Sequence, residues 1–149
     1  MSSQGSAAEY AGDLSAQEAW SLLEREPGAQ LIDVRTLPEW TFVGLPDLSS
    51  LGREVKRIEW QAFPSMAANP DFVAQVSQAA SRSGADRDTP LVFICRSGAR
   101  SRAAAIAMTK AGFSRAHNLA GGFEGDLDRD AHRGSQNGWK VSGLPWRQT

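Results

Sequence analysis

Cys95 is the only cysteine in this chain of 149 residues, and its neighbours are of the kinds that make a sulfur reactive. The apolar run Leu91-Val92-Phe93-Ile94 leads directly into Cys95-Arg96-Ser97-Gly98-Ala99-Arg100-Ser101. The thiolate, not the thiol, is the nucleophile, and nearby cationic side chains favour it. A glycine within such a loop lets backbone approach a bound group closely. A lone cysteine is most often a small buried hydrophobe, but a core cysteine has no use for two arginines within five positions. We read Cys95 as a nucleophile.

The surrounding elements put that sulfur in a particular place. Leu91 to Ile94 is short, apolar and partly β-branched, as buried strands are. Ser101 to Lys110 is rich in alanine and free of glycine and proline, which predicts a helix. The tight loop between them sets Cys95 at the carboxyl end of a strand, where open parallel sheets bind ligands. It also lies at a helix amino terminus, whose unpaired N–H groups attract anions. The amides of residues 96–100 are therefore expected to ring an anion on the sulfur. Arg96 and Arg100 are suited to draw in an anionic substrate, and Ser97, Gly98 and Ala99 complete the binding loop.

Further elements follow from local signals. Ser15 with Glu18 is a capping box, so a helix starts there with Trp20, Leu22 and Leu23 as its apolar stripe and ends at Pro27-Gly28. Leu31 to Val34 reads as a strand, residues 36–54 as irregular, and Val55 to Trp60 as a second strand. Asn69-Pro70-Asp71 predicts a helix running to about Ser83, with Asn69 as cap and Pro70 in its first turn. Ala111-Gly112 ends the helix after the cysteine loop, and Arg115 to Leu119 forms a last strand. Strands alternating with helices imply an α/β sandwich around a parallel sheet. We expect a disordered tail over residues 1–12, one domain over 13–125, and an extension over 126–149. The tryptophans of that extension, Trp139 and Trp146, predict that it packs onto the domain.

Composition excludes several classes. Acidic and basic residues nearly cancel, with a formal charge of −1, so nothing draws the chain toward nucleic acid or a membrane surface. No apolar run approaches the roughly 20 residues of a membrane span, and Met1 to Ser6 lacks the basic and apolar regions of a signal peptide. A free reactive thiol suits a reducing compartment, so a cytoplasmic protein is expected. His117 and His132 have no metal-ligand spacing, and no cofactor is expected.

Three segments carry a family resemblance. Leu31-Ile32-Asp33-Val34-Arg35-Thr36 with Glu39, the loop Cys95 to Ser101, and Asn118-Leu119-Ala120-Gly121-Gly122 resemble, in that order, the signatures of a single-domain rhodanese. The likeness spans roughly residues 14–125. It implies a rhodanese-like sandwich with a central parallel sheet of about five strands. It also implies a sulfurtransferase in which Cys95 takes a sulfane sulfur from thiosulfate or a similar small donor, holds it as a persulfide, and yields it to a thiophilic acceptor such as cyanide or a thiol. In this family the first signature is chiefly structural, its arginine and glutamate (here Arg35 and Glu39) tying the first strand to the next segment. The usual Gly-His-Ile-Pro-Gly-Ala type run is replaced here by Thr41-Phe42-Val43-Gly44-Leu45-Pro46-Asp47, which leaves the pocket rim open. Asp33 lies at a strand end that should face the same crevice, and Gly121-Gly122 reads as a turn of close backbone approach.

Two other readings stand beside sulfur transfer between small molecules. The same loop would serve a persulfide carrier or sensor that delivers sulfur to a protein partner. A cysteine-dependent phosphatase is the other, but such enzymes place an arginine six positions after the nucleophile, where this chain has Ser101. A loop closing at Arg100 makes a ring suited to one sulfur rather than to a tetrahedral phosphate. Arg102, beyond the loop, is expected to do no more than pair at the surface.

Overall fold

The computed structural model describes residues 9–148. Strand β1 is Asp13–Leu14 and helix α1 is Ala16–Arg25, followed by β2 at Gln30–Asp33 and α2 at Leu37–Phe42. Short strands β3 (Leu45–Pro46), β4 (Lys56–Arg57), β5 (Gln61–Ala62) and β6 (Ala67–Ala68) lead to α3 at Phe72–Arg82. Then come β7 (Leu91–Ile94), α4 (Ala99–Lys110), β8 (Ala116–Leu119) and β9 (Trp146–Arg147). The main sheet has five strands in the order β1-β8-β7-β2-β4, every neighbouring pair parallel.

Parallel strands flanked by helices on both faces are buried on both sides, which explains why β2 and β7 are apolar without alternation. Successive side chains nonetheless point to opposite layers. Ile32 and Phe93 pack with Phe72, Val76, Ala104 and Met108 of α3 and α4. Leu31, Val92 and Ile94 pack with Leu22 and Leu23 of α1, and with Phe123 and Trp139. The core thus has two halves, and the carboxyl-terminal extension builds part of the second. Trp139 is fully buried, its indole N–H donates to Pro145 O at 2.6 Å, and its ring meets Trp20 edge-on. Strand β9 pairs antiparallel with β3.

The capping box at α1 forms as its sequence predicts, with Ser15 Oγ accepting from Glu18 N and Glu18 Oε1 accepting from Ser15 N. Several expectations change. Residues 36–54 are not irregular throughout, because Thr36 and Glu39 make a second capping box and open α2 with Pro38 in its first turn. Proline is at home there, since its missing N–H would have no partner in any case. Helix α3 begins at Phe72 with Asp71 as cap, so Pro70 precedes the helix; the Asn69 carboxamide accepts from Asp71 N and shapes the turn before it. The disordered tail expected over residues 1–12 falls in part outside the described residues. Its last positions are ordered, with Tyr10 packed on the core and Ala11 N–H donating to Ala116 O. Among the described residues, no helix is long and apolar enough to cross a membrane.

Candidate active site

Central strand β7 ends at Ile94, and Cys95 follows with only 1% of its surface exposed. The chain then turns through Gly98, whose φ of +120° is a left-handed value that a side chain would strain. This turn lets Gly98 N–H point back at Cys95 Sγ, at 3.1 Å. Helix α4 starts at Ala99, two residues earlier than its composition predicts, and no side chain caps it. Its first-turn N–H groups therefore remain unclaimed beside the sulfur.

The loop's own carbonyls are tied from behind. Cys95 O accepts from Phe123 N, and Arg96 O accepts from Glu124 N and Gly125 N. A Cβ at Gly122 would lie 2.5 Å from Cys95 O, so this glycine serves the stacking of one loop on another, while a Cβ at Gly121 would meet the Asn137 side chain.

The charged groups do not fall where the sequence places them. Arg100 does not present a free fork to an anionic donor. Its Nη1 and Nη2 donate to the two carboxylate oxygens of Glu39 at 2.8 and 3.0 Å. Burial pushes the Glu39 carboxyl up, but the Arg100 hydrogen bonds and charge, with Thr36, outweigh it and leave the group below its ordinary value. The bond to Glu39 in turn holds the Arg100 guanidinium above its own ordinary value despite burial, and the Cys95 sulfur adds to the effect. Glu39 therefore does both: it holds the segment after the strand by accepting from Thr36 N and Oγ1, and it reaches the cysteine loop through Arg100. Arg35 also ties strand to segment: fully buried, it grips Asp33 through Nε and Nη2, donates to Gly44 O at 2.7 Å and lies over the Phe123 ring at 4.3 Å. Asp33 is buried with it and spends its carboxylate on Arg35, so it is a support under the site rather than a group in the crevice.

Of the other loop residues, Arg96 and Ala99 are exposed, Ser97 is half-buried, and Gly98 is buried. Arg102 lies at the surface, 3.8 Å from Glu9 with both side chains more than half exposed. Sequence reasoning gave no role to Ser101 or Asn118. Ser101 is fully buried and its Oγ lies 3.2 Å from Cys95 Sγ and 2.6 Å from Asn118 Oδ1. The signal was present in both cases, since a serine inside an alanine-rich helix and an asparagine inside a buried strand each need a polar partner. Among the described residues, no three His, Cys, Asp or Glu side chains are grouped so as to hold a metal ion.

The overall fold is shared with known proteins. A family model described as the STR4 middle domain matches residues 11–149. Thiosulfate sulfurtransferase GlpE of Pseudomonas savastanoi pv. phaseolicola is 34% identical over 100 residues, which cover 67% of this chain and 74% of that protein. The chain belongs to the rhodanese-like family. Among solved structures, this rhodanese-like chain is similar to Rv0390 from M. tuberculosis, with 48% identity, a TM-score of 0.80, and coverage of 94% of this chain and 99% of that one. It is also similar to the polysulfide-sulfur transferase homodimer of Wolinella succinogenes, with 26% identity, a TM-score of 0.58, and coverage of 92% and 78%. Relatives of this rhodanese-like chain thus include proteins named sulfurtransferases, which agrees with a site built around one sulfur.

Proposed function

We propose that this protein is a sulfurtransferase that carries a sulfane sulfur on Cys95. The observation that carries this reading is Cys95 Sγ at the end of the central strand, facing the Gly98 N–H at 3.1 Å and the uncapped start of α4. As the thiolate, Sγ attacks the outer sulfur of thiosulfate or a related donor. A new S–S bond forms, the donor's S–S bond breaks, and sulfite leaves with the electron pair. The negative charge ends on the terminal sulfur, where the loop amides and Arg100 oppose it, as donors do in an oxyanion hole. Attack by an acceptor thiol or cyanide on that terminal sulfur returns the Cys95 thiolate.

Sγ is almost wholly covered, so the terminal sulfur, one bond further out, is the atom an acceptor meets. Arg96 is the exposed cation of the loop and is suited to gather anionic donors. Support for sulfur over phosphate comes from position six after the cysteine. A phosphatase needs an arginine there, whereas Ser101 turns inward against Sγ.

Delivery to a protein acceptor has one observation in its favour. Helix α2, which carries Glu39, also exposes Leu37 at 60% and Phe42 at 76%, and apolar side chains so placed fit a docking partner.

Intact-mass spectrometry after thiosulfate treatment tests the central claim. One added sulfur atom is expected, lost promptly on addition of cyanide or dithiothreitol. With a single cysteine in the chain, no second thiol of the same molecule can release that sulfur by closing a disulfide. Unmodified protein, or mainly a Cys95–Cys95 linked dimer, under conditions that turn over substrate would refute it.

A further inference from the structure

Two cations outside the cysteine loop have no task in the mechanism. Arg57 lies on the edge strand β4 and Arg82 in the last turn of α3. Among the described residues, neither guanidinium makes a hydrogen bond, an ion pair or a ring contact. Each has an ordinary local reason to be charged, since edge strands are blunted by charge and a helix carboxyl end favours a cation. Those reasons do not account for both lining one groove, of about 650 Å³, between α2 and α3. Leu37 and Trp40 of α2 form one wall. The other is a stripe of α3 at helical spacing, Gln75, Gln78, Ala79 and Arg82, left outward because Phe72, Val76 and Ala80 go to the core. Arg57 and Ile58 lie between the walls at the edge of the sheet.

We propose that this groove docks a short acidic segment, carrying an apolar side chain, of the protein that accepts sulfur from Cys95. The proposal rests on the reading of Cys95 as a sulfur carrier and names the surface that holds its acceptor. Charge sets the sign of the occupant. The groove has two free guanidinium groups and one carboxylate, Glu59, whose Oε2 already accepts from Leu37 N at 3.0 Å. Guanidinium groups without partners match carboxylates, which they can grip through two donors at once. The apolar lining sets the second requirement, because Leu37 is 60% exposed beside Ile58 and Ala79, and a bare anion would leave that surface wet. The stripe from Gln75 to Arg82 is about 10 Å long, the reach of about three extended residues. Helix α2 also carries Glu39, which pairs with Arg100 of the cysteine loop, so a segment seated on α2 stands beside the site.

The test is fluorescence polarisation with the full chain and three short fluorescein-labelled peptides. The first sets a central Leu-Leu pair among glutamates and aspartates, the second replaces the leucines with serine, and the third replaces the acids with lysine. The first peptide should bind about tenfold more tightly than either of the others, the scale of one apolar anchor or one charged contact. The double variant Arg57→Gln, Arg82→Gln should lose that affinity by about tenfold or more. Both side chains are exposed and serve no contact of the fold, so its melting temperature should match that of the wild type. Should the double variant melt early, Arg82→Gln alone decides, with a loss of about threefold or more expected.

Three results would overturn the proposal. No binding of the first peptide means that the groove takes no acidic segment. Equal binding of the serine peptide means a patch for any polyanion. Binding that the arginine variants retain places the peptide elsewhere on the surface. None of these measurements uses a sulfur donor, so the wild-type chain weighed after thiosulfate treatment reports separately on Cys95. Failure to take up sulfur would remove the proposed activity without changing peptide affinity.

Discussion

Glu39 and Arg100 stand 61 positions apart in the chain and meet through two hydrogen bonds, at 2.8 and 3.0 Å. One belongs to a short helix beside the sheet and the other to the first turn of the helix that holds the sulfur. Their contact fixes where the guanidinium can reach, so the shape of the mouth and the charge behind Cys95 are set by the same pair.

Breaking it should cost stability in a pH-dependent way. Glu39→Gln removes a charge-assisted pair at a partly solvated position, worth about 1 kcal/mol. Because the folded chain holds the Glu39 carboxyl below its ordinary value of 4.5, its contribution is present at neutral pH and is lost as pH falls through the lowered folded value. Urea midpoints of wild type and Glu39→Gln should therefore differ at pH 7 and converge in acid. A gap that persists at about pH 2 would show that the pair's charge is not what the substitution removes.

Cys95→Ser should abolish sulfur transfer and leave the fold unchanged, as circular dichroism and melting would report. The serine hydroxyl is not ionised near neutral pH and forms no persulfide, while its volume is close to that of cysteine. Residual transfer above about a tenth of wild type would count against Cys95 as the carrier. The chain should also show no vanadate-sensitive hydrolysis of p-nitrophenyl phosphate that depends on Cys95.

Two neighbouring arginines should behave differently. Arg100→Ala loses the charge behind the sulfur and leaves Glu39 half-buried without its partner, so both thiosulfate turnover at low donor concentration and thermal stability should drop. The loss in kcat/KM should be about tenfold, the scale of one charged contact. Arg102→Ala should stay within about twofold, because the pair it makes at the surface is solvated. Equal losses in both variants would mean that general positive charge, not the Glu39-held geometry, is what matters.

His117 predicts a second acid sensitivity. Burial pushes its imidazole below the ordinary 6.5, and the nearby Arg115 charge adds to that. A group whose folded value is depressed binds fewer protons folded than unfolded, so stability falls as pH drops through 6.5 toward the folded value. His117→Gln should flatten the stability profile across that interval. An identical slope in wild type and variant would assign the sensitivity to other groups.

The layout of the central sheet was legible because its signals are local. The run Leu91 to Ile94, the capping box at Ser15, and the glycine after the cysteine each act within a few residues. Helix α2 carried the same local signal, in Thr36 and Glu39, but the flanking prolines and glycines outweighed it in the reading. Strand β4 falls inside the run Val55 to Trp60 read as a strand, but β1, β3, β5 and β6 were not legible, since strands so short are specified by their partners, such as Asn118 opposite Asp13. The roles of Glu39, Ser101 and Asn118 were hidden for a related reason. Each depends on a contact across long chain separation, and a residue type alone does not say which partner it finds. Arg100 shows the converse: its type was informative, yet an unforeseen carboxylate took its donors.

The backbone around the sulfur is held by residues 123–125, whose N–H groups bond the carbonyls of Cys95 and Arg96. Those residues lie well after the cysteine in order of synthesis, and they pack beneath Trp139 from later still. A growing chain, or one cut short before this point, possesses the thiol without the cradle. The cradle around the sulfur is in this sense a late assembly, closed only when residues 122–139 have folded back over the cysteine loop.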